Sequence, residues 1–192
     1  MSMDRREAIK RTAILMGGFA FAPSASGILQ GCTPQAGVAW NPQFFSEYQA
    51  RLVTILSDVI IPSGDTPGAS DAGVPAFIEE MVSTIYDQDA REQFTSGLVA
   101  FDEMANNHYD SNFSDLDYSR QFQFANEQNQ LAIDNEHTNQ HGTLFFFIMK
   151  ELTMLGYFTS EEGATKTLRY VQVPGRYDGC IPLEKGDKTW AT

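Results

Sequence analysis

Leu144-Phe-Phe-Phe-Ile-Met-Lys-Glu-Leu-Thr-Met-Leu-Gly-Tyr-Phe158 is the stretch that decides the fold. It is apolar on nearly every face, and a helix of that kind needs neighbours on all sides because a surface helix shows a polar stripe. Fifteen residues rise about 22 Å, short of a bilayer core of roughly 30 Å. The expectation is therefore an enclosed helix over about 143–158, with other helices packed round it. Lys150 and Glu151 interrupt it and must reach water, a partner or each other. Gly156 is read as loosening its last turn.

Helical signals on either side support that centre. Apolar residues at 44, 48, 52, 55, 56, 59 and 60 follow a 3.6-residue period and predict an amphipathic helix over Phe44–Ile61, stopped by Pro62. Ser63–Gly73 reads as a loop, and Pro75 suits the first turn of the next helix, whose stripe is Phe77, Ile78, Met81, Val82 and Ile85. After a break at Asp87–Ala90, Phe94, Leu98, Phe101 and Met104 mark a third helix to about Asn107. A polar loop, Asn106–Ser114, precedes a weaker helix over Asp115–Ile133 with Leu116, Tyr118, Phe122, Ala125 and Leu131 on its inner face. Asp134–Gly142 reads as polar linker. Beyond Phe158, Thr159 and Glu162 have the spacing of a capping box and predict a short helix over Ser160–Arg169. Val173-Pro-Gly175 then turns into an irregular tail. No alternating β-branched runs are present. The fold class is all-α, a bundle of five or six helices around the apolar one, within a single domain over 43–192.

Four of the 13 basic residues lie in the leader: Arg5, Arg6, Lys10 and Arg11, opposed by Asp4 and Glu7, a net of +2. The chain carries −12, so the remainder carries −14 (−12 − 2). That balance argues against nucleic acid as a partner and against a peripheral mode resting on anionic lipid. Asp4-Arg-Arg-Glu-Ala-Ile-Lys10 followed by the short apolar run Thr12–Ala22 has the order of a twin-arginine export signal, with Arg5 and Arg6 as its pair. Leu29-Gln-Gly-Cys32 resembles a lipobox that would make Cys32 the lipidated first residue of 1–31-cleaved material; ordinary cleavage near Ala22–Ser26 is the alternative. Residues 32–42 form a tether. Lipidation anchors a chain without making it span the membrane. A Cys32–Cys180 disulfide is an option only if Cys32 carries no lipid, and Cys180 otherwise reads as a small thiol, buried or at a partner contact.

Enzyme machinery is hard to find. No glycine-rich dinucleotide fingerprint, C-x-x-C-H haem site or iron–sulfur cysteine set is present, and no nucleophile–base–orienter set recommends itself. We expect no catalytic, cofactor-binding or metal-ligating residue in this chain. His137 and His141 have i,i+4 spacing, but in a polar stretch ending at Gly142 they read as exposed linker, as does His108 in its loop. Asp58, Asp65 and Asp71 flank a glycine-rich loop; Asp58 is expected to accept from amides of the loop that follows, and Asp65 to serve a turn, in preference to calcium. The tail combines arginine and aromatic residues, the composition of interface anchors. Tyr157, Arg169, Tyr170, Arg176, Tyr177, Asp178 and Cys180 are the candidate partner contacts.

Lys150-Glu-Leu-Thr-Met-Leu-Gly-Tyr-Phe158, Arg169-Tyr170 and Val173-Pro-Gly-Arg-Tyr-Asp-Gly-Cys180, together with Leu56-Ser-Asp-Val-Ile-Ile-Pro-Ser-Gly-Asp-Thr-Pro-Gly-Ala69 and Ala72-Gly-Val74, resemble the gluconate 2-dehydrogenase subunit 3 family. The resemblance implies the small, non-catalytic subunit of a membrane-associated, flavin-dependent alcohol or sugar-acid dehydrogenase. FAD is then expected in a large subunit of the glucose–methanol–choline type, with a cytochrome c subunit as a further partner. The implied roles are assembly, stability and export through the twin-arginine translocase to the periplasmic side. The alternative is a stand-alone exported helical lipoprotein acting as a binding or scaffold module.

Overall fold

The computed structural model describes residues 40–134, 141–173, 175, 180, 182 and 184–191. In chain order its helices are α1 (Glu47–Ile60), α2 (Val74–Glu80), α3 (Gln88–Tyr109), α4 (Tyr118–Asp134) and α5 (His141–Thr159). A π-helical turn, Met81–Ile85, prolongs α2; a second, Gly163–Thr167, follows α5; a 3-10 turn, Phe113–Asp115, leads into α4. Among the described residues no strand forms, only an isolated parallel bridge between Arg169 and Trp190. The fold is all-α, as the sequence predicts. Val38–Thr192 makes one compact unit, and Trp40, inside the expected tether, already packs against the core.

Local chemistry sets the ends of the helices. Ser46 accepts from the Gln49 amide at 3.2 Å while Gln49 Oε1 accepts from the Ser46 amide at 3.0 Å, a capping box that starts α1 three residues later than the apolar period alone suggests. Gly73, at φ 73°, turns the chain into α2, and Pro75 sits in the first turn, where a missing N–H costs nothing. Asp87 caps α3 by accepting from the Ala90 amide at 2.9 Å. α3 reaches Tyr109, beyond the expected Asn107, and Asp110 closes it in the left-handed region at φ 53°.

Aromatic rings fill the centre. Phe101 lies 5.0 Å from Phe113, 5.2 Å from Phe124 and 5.8 Å from Phe145, ring centre to ring centre. Phe45, Leu52, Leu56, Ile78, Leu98 and Met149 complete a single core. Phe113 is wholly buried although its surroundings, Asn106–Ser114, read as polar loop. α4 meets the predicted pattern in part: Ala125 is buried, as is Leu116 just ahead of the helix, but the other three positions face out. Gln121, Phe124, Ala125, Gln128 and Ala132 turn inward, while Tyr118, Phe122 and Leu131 lie about half exposed. The register follows Phe124, which joins the ring cluster, and Gln121, whose Nε2 donates to the buried Phe113 carbonyl at 3.1 Å.

Two carboxylates organise the loops. Asp58 accepts from the Ser70 amide at 2.8 Å and the Ser70 hydroxyl at 2.5 Å, the structural role read from the sequence. Glu79 is buried, and its Oε1 accepts from the amides of Gln43 (3.1 Å), Phe44 (2.8 Å) and Phe45 (2.8 Å), so α2 holds the segment that enters α1. The predicted Thr159 cap is displaced by one residue. Thr159 ends α5 with its hydroxyl donating back to Leu155, and Ser160 Oγ accepts from the Gly163 amide at 3.0 Å. A π-turn, in place of the expected α-helix, follows and stops at Leu168.

Candidate partner interface

α5 packs against α1, α2, α3 and α4, and so is the central element, but it is not enclosed. Phe145, Met149, Leu152, Thr153 and Tyr157 point into the bundle with Phe146. Phe147, Glu151, Met154, Leu155 and Phe158 point out, with Phe147 50% exposed, Leu155 45%, Met154 43% and Phe158 38%. The all-round apolar sequence therefore splits into a buried face and an exposed apolar strip. Positions 147, 151, 154, 155 and 158 recur at helical spacing on one side, over a length of about 17 Å. They line a shallow depression of about 530 Å³. Singly exposed apolar side chains are ordinary; a contiguous strip marks a surface that another molecule covers.

Close contacts on the opposite side fix which face is out. A Cβ on Gly156 would lie 2.6 Å from Phe77 Cδ1, and one on Gly97 would lie 2.5 Å from Phe145 Cβ. Gly156, read from the sequence as a helix loosener, instead lets α2 approach α5. Lys150 Nζ donates to Asn129 Oδ1 on α4 at 2.8 Å, beside a small cavity of about 170 Å³. Glu151 remains exposed. The Tyr86 hydroxyl is pushed above its ordinary pKa, first by burial and then by the Glu151 charge, so Glu151 stands near the end of the π-turn. Ile85, expected on the inner stripe, is 65% exposed there.

The contacts predicted in the tail fare unequally. Tyr157 is buried; its hydroxyl lies 2.7 Å from the Pro67 carbonyl and 2.7 Å from Thr167 Oγ1, tying α5 to the 61–73 loop, and it offers no surface. Arg169 is exposed, stacks its guanidinium 4.2 Å from the Trp190 ring centre, and pairs through its backbone with Thr189 (2.7 Å) and Ala191 (3.0 Å). Tyr170 is half exposed and Cys180 is exposed and free. Arg176, Tyr177 and Asp178 lie outside the described residues, as do Arg5, Arg6, Cys32 and His137. The α5 strip went unread in the sequence because nothing local distinguishes its residues from Phe145 or Met149.

Asp102 accepts from the Tyr48 hydroxyl and, at 2.9 Å, from the Phe113 amide. Burial, then the Asp102 hydrogen bond and charge, push the Tyr48 hydroxyl well above its ordinary pKa. Among the described residues no group of three or more His, Cys, Asp or Glu is placed to hold a metal ion, and no helix is long and apolar enough to cross a membrane.

No curated protein and no solved structure matches the chain. A family model described as gluconate 2-dehydrogenase subunit 3 matches residues 47–175, about two thirds of the 192 residues, and includes α3, α4 and α5 with the strip. The match also runs through 109–142, a segment that none of the quoted motifs touches. The family's name implies a subunit of a dehydrogenase complex, and this chain belongs to the gluconate 2-dehydrogenase subunit 3 family.

Proposed function

We propose that this chain is the non-catalytic small subunit of a periplasm-facing, FAD-dependent sugar-acid or alcohol dehydrogenase of the glucose–methanol–choline type. It serves the assembly and stability of the flavoprotein subunit and its export. The observation that carries the reading is the exposed apolar strip of α5 in a chain of this family. Leaving such a strip in water is unfavourable, and covering it with a partner recovers the hydrophobic free energy of the area buried. Hydride chemistry then belongs to the flavin and to the subunit that binds it. A cytochrome c subunit takes the electrons.

The leader supports the export role. The twin-arginine route carries folded proteins, so the Arg5-Arg6 signal on this chain can bring out a folded, FAD-loaded partner that has no signal of its own. Lipidation at Cys32 then keeps the complex at the periplasmic face of the membrane. Co-expression with a flavoprotein subunit of the glucose–methanol–choline type, followed by an absorbance scan of the purified material, tests the proposal. Flavin should co-elute with this chain, and replacing Arg5 and Arg6 by lysine should leave the flavoprotein in the cytoplasm. A mature chain that purifies alone favours the binding or scaffold module, and one that oxidises a sugar acid or holds flavin by itself refutes the subunit reading.

A further inference from the structure

One acidic residue, Glu151, stands inside the α5 strip, and Lys150 lines the edge of the same depression. Glu151 lies one turn beyond Phe147 and one turn before Leu155, is exposed, and makes no hydrogen bond or ion pair among the described residues. Its sequence neighbour Lys150 forms no ion pair with it among the described residues; the Lys150 ammonium reaches to the α4 side and donates to Asn129 Oδ1. Any molecule that covers Phe147, Met154, Leu155 and Phe158 also removes the Glu151 carboxylate from water. A desolvated carboxylate without a partner is strongly unfavourable, so the covering surface has to bring a cation. Resting on the subunit reading above, we propose that the α5 strip docks into an apolar groove of the flavoprotein subunit that carries an arginine or lysine opposite Glu151.

Charge argues against a second copy as the occupant. Two strips that overlap fully in an antiparallel pair set Phe147 against Phe158 and Glu151 against Met154. The two Glu151 residues then sit only about 4.5 Å apart along the axis, within the same dehydrated seam. Each chain also brings a net charge of −12 to such a pair. Like charges across an apolar seam oppose association, whereas an acidic surface meeting a basic rim speeds encounter and fixes orientation.

The test uses the full chain, affinity-tagged and co-expressed with the flavoprotein, with co-eluting flavin read at low and high salt. Glu151→Arg and Leu155→Asp should each lower the flavin recovered by about tenfold or more, and Glu151→Gln by less while flattening the salt dependence. Circular dichroism and the melting temperature of the variants should match wild type, since both side chains are exposed. Flavin recovered undiminished with Leu155→Asp, or increased with Glu151→Arg, overturns the docking surface while leaving the subunit function standing. A purified chain that sizes as a dimer and becomes monomeric with Leu155→Asp makes the occupant a second copy and equally overturns it. If wild type never carries flavin, the subunit function falls, and this inference with it.

Discussion

Replacing Gly97 by alanine tests whether the α3–α5 contact is as close as the structure places it. The added Cβ would lie 2.5 Å from Phe145 Cβ and 2.9 Å from its Cγ, against about 3.5–4.0 Å for an ordinary carbon–carbon contact. Rotation of the Phe145 ring cannot relieve this, because the obstructing atom is the one fixed to the α5 backbone. The helices have to separate by about 1 Å. That separation would disturb Phe145 against Phe94 and Phe101, at 5.3 and 5.8 Å. Overpacking of a core costs about 1–3 kcal/mol, and alanine in place of glycine in a helix returns about 1 kcal/mol. The collision is with atoms that cannot step aside, so the upper part of the first range applies and the net loss is about 1–2 kcal/mol. For a domain of this size that lowers Tm by about 2–8 °C. Thermal unfolding followed by far-ultraviolet circular dichroism measures it, with Asn107→Ala on the exposed side of α3 reporting helix propensity alone. If Gly97→Ala raises Tm as Asn107→Ala should, the helices are further apart than described and the account of why α5 turns its other face outward fails.

Glu79→Ala removes the acceptor of three backbone amides at Gln43, Phe44 and Phe45; urea unfolding should show a loss of about 3 kcal/mol, and Glu79→Gln, which keeps one acceptor oxygen, a smaller one. An unchanged midpoint for Glu79→Ala would mean that the segment entering α1 is not held this way. Alkaline stability should depend on Tyr48. Its folded pKa is raised, by burial first and then by Asp102, so above pH about 10 the unfolded chain binds fewer protons than the folded one and stability falls as pH rises. Tyr48→Phe should flatten that fall in urea unfolding between pH 9 and 11, the range chosen to bracket the ordinary tyrosine value of about 10; a slope unchanged by the substitution would place the sensitivity elsewhere.

Much of the bundle is legible in local chemistry because caps, turns and periodicity act over a few residues. Ser46 with Gln49, Asp87 and Pro75 mark helix starts by the bonds they can or cannot make. Asp58 was readable for the same reason, since its partner Ser70 lies in the adjoining loop. Glu79 was not, because the amides it holds are more than 30 positions away in sequence. The reading of α4 went astray in part, where a weak apolar period left two registers open. Phe124 settles the choice by joining rings from α3 and the 3-10 turn, and those rings are brought to it only by the folded chain.

The sequence by itself determined an all-α chain with a long apolar helix near its C-terminal end, an acidic surface, and membership of its family, since periodicity, charge and motif are properties of neighbouring residues. Only the tertiary structure decided that this helix has an outside. Phe145 and Phe147 are chemically the same and two positions apart, yet one is sealed among rings and the other meets water. The difference arises because Gly97 and Gly156 let α3 and α2 approach one side of α5, and among the described residues no element covers the other. Burial is a property of what surrounds a side chain, and no residue type encodes that alone.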